Sequence, residues 1–235
     1  MQSRIKDNVA ENLLRQQRFV NDVSHELRTP LTIIRGYIDI LERYGAQDPE
    51  LFQEAVTSIK NSAQNMQNLV ESLLFLARAD QGNQPLNKVC VDLDDLLIRL
   101  VEDYHSPRVQ IAKFEPCKIL ADAEFFKKML AAFLDNALRY SPPDTLVKIE
   151  LTNSNDTATL KFIDKGIGIA KEDLPKIFDR FYRTDKSRTK LGTGESSVGL
   201  GLPVAKWIAD RHNITIDVKS KLGAGSTFKL TIPTI

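Results

Sequence analysis

A histidine and a glutamate stand side by side in V-S-H-E-L-R-T-P-L-T, residues 23–32, within a segment that has the apolar spacing of a long helix. A neutral ring nitrogen of His25 can act as a nucleophile near neutral pH. Glu26 can orient the ring or accept its proton, and Thr29 lies one helical turn further along the same face. These residues would suit acceptance of a phosphoryl group, which requires a phosphoryl donor elsewhere in the chain.

His25 could instead be a zinc ligand or a buried structural histidine. A zinc site of the His-Glu-x-x-His kind needs a second histidine where this chain has Thr29. A buried structural histidine would replace an apolar seam residue such as Val23 or Leu27, whereas His25 falls between them, on the outward face. Pro30 removes a backbone hydrogen bond and predicts a bend just beyond the histidine. A lone helical histidine is most often structural or solvated, so the nucleophile depends on the rest of the chain.

A second polar stretch, F-L-D-N-A-L-R-Y-S-P at 133–142, ends a predicted helix. The carbonyl oxygen of Asn136 can coordinate Mg²⁺, and Arg139, one turn further on, can neutralise phosphate oxygens. Taken alone, such a stretch is more often a helix end whose polar residues face water. Its meaning therefore depends on the stretches that follow.

The stretch I-D-K-G-I-G-I at 163–169 places an aspartate at the end of an apolar strand, followed by two glycines. The carboxylate of Asp164 is suited to accept a hydrogen bond from the amino group of a base. Gly166 and Gly168 would let the backbone approach a flat ring closely. The alternative is an ordinary turn at a strand exit.

The glycine-rich stretch G-T-G-E-S-S-V-G-L-G-L at 192–202 precedes a helix that is predicted to begin near Leu200. Free amides at a helix N-terminus, with glycines that permit close contact, form an anion cradle, whereas the alternative is a flexible loop. The stretch lacks the G-K-[ST] of a Walker loop and does not follow a strand in a βαβ unit. Its candidate nucleotide-binding residues are Gly192, Gly194, Gly199, Leu200 and Gly201.

A polar, basic segment at 182–198 separates the last two stretches and is long enough to predict a functional lid. It follows I-F-D-R-F-Y-R at 177–183, whose phenylalanines are expected to anchor the base of the lid in the core. Arg180 can reach either phosphate or solvent.

Two long helices must position His25. Apolar residues recur at helical spacing over 5–44 and again over 50–79, and the turn G-A-Q-D-P at 45–49 makes the two helices antiparallel. A single hairpin cannot cover its own apolar stripe. We therefore expect an all-α hairpin, residues 1–79, that pairs with a second copy into a four-helix bundle, which makes the protein a homodimer.

The pattern changes after the predicted linker at 80–85. Between 86 and 235, short alternating strands are interspersed with helical runs, which predicts an α/β sandwich with helices on one face of one sheet. The predicted strands are 88–93, 147–152, 157–164, 214–220 and 226–232. The predicted helices are 94–104, 124–140 and 200–211.

The net charge and the lack of long apolar runs limit which partners and which cellular location we expect. The net charge of +1 gives no reason to expect binding to nucleic acid or direct contact with an anionic membrane. No run approaches the roughly 20 apolar residues of a membrane span. The first residues are already helical in pattern and lack an N-cap, as in a helix taken from a longer protein. We expect a cytoplasmic fragment.

The ordered set S-H-E-L-R-T-P-L, D-N-A-L-R-Y-S, D-K-G-I-G-I, F-D-R-F-Y-R and G-L-G-L resembles the sensor histidine kinases of two-component signalling, over almost the whole chain. The resemblance implies a dimerisation and phosphotransfer hairpin followed by a Bergerat-type ATP-binding domain. It implies that His25 is autophosphorylated by ATP with Glu26 as general base. Thr29 matches the position that places a water for dephosphorylation of the partner.

The resemblance also assigns the nucleotide site. Asn136 matches the magnesium-binding asparagine, and Asp164 matches the residue that contacts the adenine amino group. The segment 182–198 matches the ATP lid. The other positions that match nucleotide-contacting residues are Arg139, Tyr140, Gly166, Gly168, Gly199 and Gly201.

The chain departs from the family pattern at Ala132, where members often carry a second asparagine. The related chaperone, topoisomerase and mismatch-repair ATPases have a catalytic glutamate there, so alanine argues against direct hydrolysis of ATP by water. A second departure follows His212, where Asn213-Ile214 stands in place of the usual glycine pair, and it is expected to alter only a turn.

The function implied is ATP-dependent autophosphorylation of His25 with Mg²⁺ as cofactor, followed by transfer to an aspartate in the receiver domain of a response regulator. Phosphatase activity toward that regulator is expected as well. Full-length family members are usually anchored in the bacterial membrane with this part in the cytoplasm. The competing hypothesis is a degenerate kinase that serves as a non-catalytic scaffold.

Overall fold

The structure of the chain is a computed structural model that describes residues 2–44, 48–184 and 198–235. In the first helix, side chains are described at residue 17 and from residue 19 onward. The described residues form two compact units, one of residues up to 71 together with Val198, and the other of the remaining residues from 72 onward.

Two helices build the first unit: α1, Gln2–Tyr44, and α2, Pro49–Asp80, whose last turns belong to the second unit. Asp48 caps α2, because its carboxylate accepts hydrogen bonds from the backbone N–H groups of Glu50 and Leu51, each at 3.0 Å. Pro49 begins the helix at a position where no N–H group is needed. The predicted helix start at Asp48-Pro49 is confirmed, whereas Gly45 lies outside the described residues.

Helix α1 is continuous through Pro30, so the proline does not end the helix. Several large apolar side chains of the hairpin are exposed in the single chain, as expected of a stripe that its own hairpin cannot cover. They are Val20, Leu31, Ile38, Phe52, Val56 and Val70. Among the described helices, none is long and apolar enough to span a membrane.

The second unit contains the end of α2, three helices and seven strands within the described residues. They are β1 Val89–Asp92, α3 Leu93–Tyr104, β2 Val109–Phe114, β3 Lys118–Ala121, α4 Ala123–Tyr140, β4 Val147–Ser154, β5 Thr157–Ile163, α5 Gly201–Arg211, β6 Thr215–Lys221 and β7 Gly225–Pro233. Strands β1 and β3 form a two-stranded sheet, and the main sheet has the order β2-β4-β5-β7-β6. Strand β2 is parallel to β4, and all other pairs are antiparallel.

The helices bury their apolar faces on one side of the main sheet. The rings of Phe133 in α4 and Phe162 in β5 stack with centroids 5.7 Å apart, and Phe228 in β7 packs 5.4 Å from Phe133. All three are almost completely buried. The predicted architecture, a helical hairpin followed by an α/β sandwich, is confirmed.

Strands β2 and β3 were not among the predicted strands. The side chains of β3 alternate between exposed and buried, but its sequence K-I-L-A has three apolar residues in a row, and β2 lies at the sheet edge with mostly exposed side chains. Neither segment therefore carries the alternation that predicts a strand.

The end of α2 packs against α4 and α5 within the second unit. The ring of Phe75 lies edge-on to Phe125 of α4 and Trp207 of α5, at centroid distances of 5.4 and 5.0 Å. Leu76 is buried beside it. The second unit thus has contacts that begin within α2, before the predicted linker at 80–85.

A buried histidine joins the end of α5 to the start of α4. His212 Nδ1 lies 2.8 Å from the carbonyl oxygen of Ile208, and its Nε2 accepts a hydrogen bond from the backbone N–H of Asp122 at 3.1 Å. Asn213 follows with a φ of +56°, and Ile214 N–H donates to the Ala209 carbonyl. Asparagine tolerates this left-handed helix end, so the departure from a glycine pair changes only a turn.

Candidate phospho-acceptor and nucleotide sites

His25 lies on the exposed face of α1, and the adjacent Glu26 is partly buried. Thr29 is exposed one turn further on, and its hydroxyl makes a long contact of 3.5 Å with the carbonyl oxygen of His25. The outward position that the apolar spacing predicts for His25 is what the hairpin shows. An imidazole displayed in this way is accessible to a donor.

Asp164 is a buried carboxyl group at the end of β5, 7% exposed. Its Oδ1 accepts hydrogen bonds from the backbone N–H groups of Gly166, at 2.7 Å, and Ser226, at 3.1 Å. Burial raises the pKa of this carboxyl, and the two N–H groups oppose that shift. Because the hydrogen bonds described for this side chain go to Oδ1, Oδ2 is available to accept one from a ligand.

The glycines after Asp164 are needed because backbone approaches them closely. Gly168 has a φ of +68°, and a Cβ atom there would lie 2.0 Å from the carbonyl oxygen of Lys221. A Cβ atom at Gly166 would lie 2.5 Å from the carbonyl oxygen of Tyr140. This loop is therefore held between the end of α4 and the turn before β7.

The end of α4 provides Asn136, Arg139 and Tyr140, all partly buried. Within the described part of the chain, the side-chain amide of Asn136 makes no hydrogen bond, so its oxygen can serve as a ligand. Among all the residues that the structure describes, no three acidic, histidine or cysteine side chains form a cluster that could hold a metal ion. This donor set fits Mg²⁺ that is bound mainly through substrate phosphates and water.

The start of α5 faces α4. Gly199 has a φ of +71°, and a Cβ atom there would lie 3.0 Å from the backbone of Phe181. Gly201 begins the helix after Leu200, and a Cβ atom on Gly201 would lie 3.7 Å from that of Ala132. The position at which family members often have a second asparagine thus lies beside this helix start.

Three further predicted positions, Arg180, Gly192 and Gly194, lie away from the residues described so far or outside the described part of the chain. The guanidinium of Arg180 forms a bidentate ion pair with the carboxylate of Asp80, at 2.9 and 2.6 Å, so it is occupied by a protein carboxylate here. Gly192 and Gly194 lie outside the described residues, as does most of the predicted lid at 182–198.

Three residues that support Asp164 from the other side were not predicted from the sequence: Ser220, Gly225 and Ser226. A Cβ atom on Gly225, whose φ is +96°, would lie 2.1 Å from the carbonyl oxygen of Asp164. The available signal was G-A-G at 223–225, between the predicted strands 214–220 and 226–232, which indicates a turn but not its packing against Asp164.

Two family models match the chain. Residues 15–82 match the His Kinase A (phospho-acceptor) domain, and residues 121–235 match the histidine kinase-, DNA gyrase B- and HSP90-like ATPase. The first range contains His25, Glu26 and Thr29. The second contains the whole candidate nucleotide site.

The relatives cover nearly all of the chain. It is 38% identical over 220 residues to sensor histidine kinase YkoH of Bacillus subtilis, which covers 92% of the chain and 47% of that protein. It is 33% identical over 233 residues to the signal transduction histidine-protein kinase ArlS of Staphylococcus epidermidis, which covers 97% of the chain and 50% of that protein. The chain thus spans about half the length of the curated relatives it matches.

Solved structures share the fold. Histidine kinase AdeS of Acinetobacter baumannii matches with a TM-score of 0.68 at 26% identity, over 89% of this chain and 98% of that one. Histidine kinase ThkA, solved in complex with response regulator protein TrrA, matches with a TM-score of 0.72 at 22% identity, over 96% of this chain and 64% of that one. With both family models in their expected order, this chain belongs to the sensor histidine kinases.

Proposed function

We propose that the chain catalyses ATP-dependent phosphorylation of His25 and passes the phosphoryl group to an aspartate in the receiver domain of a response regulator. The observation that supports this most strongly is Asp164, a buried carboxylate whose Oδ1 is fixed by two backbone N–H groups while Oδ2 can accept a hydrogen bond. Adenine presents an amino group, which is a donor of the required kind. An exposed histidine in the same chain supplies the acceptor.

The chemistry of phosphoryl transfer to a histidine gives roles to the other predicted site residues. Glu26 accepts the proton of the imidazole ring as His25 attacks the γ-phosphorus, and ADP leaves. Arg139 and Tyr140, at the end of α4, would contact the nucleotide. The glycines on either side of Leu200 would let the free amides at the start of α5 approach the phosphate oxygens. Catalysis would come mainly from positioning and from neutralising charge on the transferred group.

Asn136 would hold Mg²⁺ through its amide oxygen. The ion, when bound, neutralises charge on the phosphates of ATP. With Ala132 in place of a second asparagine, the protein supplies one amide oxygen fewer, so phosphates and water must complete the coordination. Arg180 contributes to nucleotide binding only if its ion pair with Asp80 opens.

A second activity, dephosphorylation of the regulator, is favoured by Thr29. Its hydroxyl is exposed one turn from His25, where it can orient a water molecule. Thr29→Ala should slow regulator dephosphorylation and leave the autophosphorylation rate unchanged.

The hairpin is the proposed dimer interface and the docking site for the receiver domain, because its exposed apolar side chains require a partner. Relatives are about twice as long as this chain, and we place the full-length protein in a bacterial membrane with these residues on the cytoplasmic side. Neither nucleic acid nor direct membrane contact is part of the proposal.

A labelling experiment tests the proposed function. His25→Gln should abolish acid-labile labelling from γ-labelled ATP while ATP affinity stays within about twofold of the unmodified protein. His105→Asn is the control, since His105 is exposed with a φ of +46° that asparagine tolerates. Undiminished labelling of His25→Gln would rule out the assignment.

A further inference from the structure

A small hydroxyl network lies between β6, β7 and the loop after Asp164. Ser220 Oγ, partly buried in β6, accepts a hydrogen bond from the backbone N–H of Ile169 at 2.7 Å. The same oxygen lies 3.0 Å from the carbonyl oxygen of Gly225 and 2.9 Å from the hydroxyl of Ser226. Ser220 therefore contacts both backbone segments that surround Asp164.

The three contacts determine where the protons lie. A serine hydroxyl has one proton to donate and two lone pairs to accept with. Since Ile169 N–H uses one lone pair, all three contacts are satisfied only if Ser220 donates to the Gly225 carbonyl and accepts from the Ser226 hydroxyl. Removing the Ser220 hydroxyl would leave the N–H of Ile169, the Gly225 carbonyl and the Ser226 hydroxyl each without this partner.

The network is directly connected to the Asp164 carboxylate. Ser226 N–H donates to Asp164 Oδ1 at 3.1 Å, and Asp164 N–H donates to the carbonyl of Ser226 at 2.9 Å. Gly166, whose N–H is the other donor to Oδ1, lies in the same short loop as Ile169. Ser220 thus holds the loop that carries Gly166, through its contact with Ile169. It also holds the start of β7, which carries Ser226.

We propose that Ser220 is a positioning residue for base selection: it fixes the two N–H donors to Asp164 Oδ1, which fixes the direction in which Oδ2 faces the base. This inference rests on the proposed function, in which Asp164 accepts from the amino group of adenine. Guanine has a carbonyl oxygen at the corresponding position. A rigid carboxylate therefore favours ATP over GTP, and a loosened one discriminates less.

The test compares ATP and GTP, each with Mg²⁺, by titration calorimetry on the full chain. Ser220→Ala should weaken ATP binding about tenfold, the effect of losing one positioned hydrogen bond, and GTP binding by less than about threefold. Ser220→Thr retains the hydroxyl and should restore the ATP preference. Thr231→Ala, a hydroxyl loss on the neighbouring strand β7, is the matched control and should leave both affinities unchanged.

Failure of the Ser220 role and failure of the Asp164 role would give different results. The inference is overturned if Ser220→Ala keeps its ATP affinity, or if ATP and GTP affinities fall by the same factor, as a general loss of stability would cause. If the unmodified protein shows no preference for ATP, or if Asp164→Asn binds ATP normally, the base-contacting role of Asp164 is wrong and the inference falls with it.

Discussion

At the scale of single residues, the site depends on which oxygen of a side chain is already occupied. Oδ1 of Asp164 holds two backbone N–H groups, so the part of the carboxylate that can select a ligand is Oδ2. The residue type and its place at a strand end could be predicted from the sequence. The donors from Ser226 and the network of Ser220 could not, because they depend on a contact between segments about 60 residues apart.

Ala132 offers a test of the metal assignment. Its Cβ atom lies beside Gly201, which has no side chain to fill the space at the start of α5. Ala132→Asn would add an amide oxygen one turn before Asn136, and we expect it to tighten Mg²⁺-dependent ATP binding about threefold to tenfold.

Titration calorimetry with and without Mg²⁺ measures this effect, and Ala131→Asn, at the neighbouring position, is the control. An affinity that rises equally without Mg²⁺, or does not rise, would contradict the placement of the ion near Asn136.

At the scale of the elements, the end of α4 and the start of α5 carry two of the nucleotide motifs, and His212 connects the two helices. Its Nε2 accepts a hydrogen bond from Asp122, the N-cap of α4, and it can do so only while that nitrogen is unprotonated. Burial lowers the pKa of His212, with a smaller contribution from Lys88 in the same direction, while its contact with Ile208 raises it.

This gives a pH dependence with a definite sign. In the unfolded chain the imidazole takes up a proton as the pH falls below about 6.5, whereas the folded protein resists that protonation to lower pH. The free energy of unfolding should therefore fall between about pH 7 and pH 5, and His212→Gln should reduce that fall although it lowers stability at every pH.

Urea unfolding followed by Trp207, the single tryptophan of the chain, reports on the unit that contains His212. His105→Asn, which replaces an exposed histidine, should keep the pH dependence of the unmodified protein. The same slope in His212→Gln as in His105→Asn would contradict this role.

The elements also show where sequence periodicity was sufficient. The long apolar stripes of α1 and α2 and the alternation in β4, β5 and β7 predicted those elements within a few residues. β2 and β3 were missed because β2 is a mostly exposed edge strand and the exposed face of β3 carries the apolar Leu120, so residue type does not alternate regularly along either sequence. The pairing of Arg180 with Asp80 was also missed, since only the fold brings residues 100 positions apart together.

At the scale of the whole molecule, the exposed apolar side chains of the hairpin form the surface through which we propose that two copies of the chain pair. Phe52 of α2 is 46% exposed. Phe52→Glu would place a charge in the proposed four-helix interface and should weaken dimerisation at least tenfold, because a buried charge without a partner is costly.

Sedimentation velocity at several concentrations measures the dimer. The control is Phe114→Glu, a comparable substitution at a phenylalanine of the second unit that is 38% exposed, and it should leave dimerisation unchanged. Equal weakening by both variants, or by neither, would contradict a dimer formed through the hairpin.

In the proposed function, ATP bound by this chain phosphorylates His25. The most direct measurement is mass spectrometric mapping of acid-labile phosphate after incubation with ATP and Mg²⁺, under conditions that preserve phosphohistidine. We predict phosphate on the peptide that contains His25 and none on those that contain His105 or His212, with the signal lost in Asp164→Asn. Phosphate on another residue, or full phosphorylation of His25 in Asp164→Asn, would contradict the account.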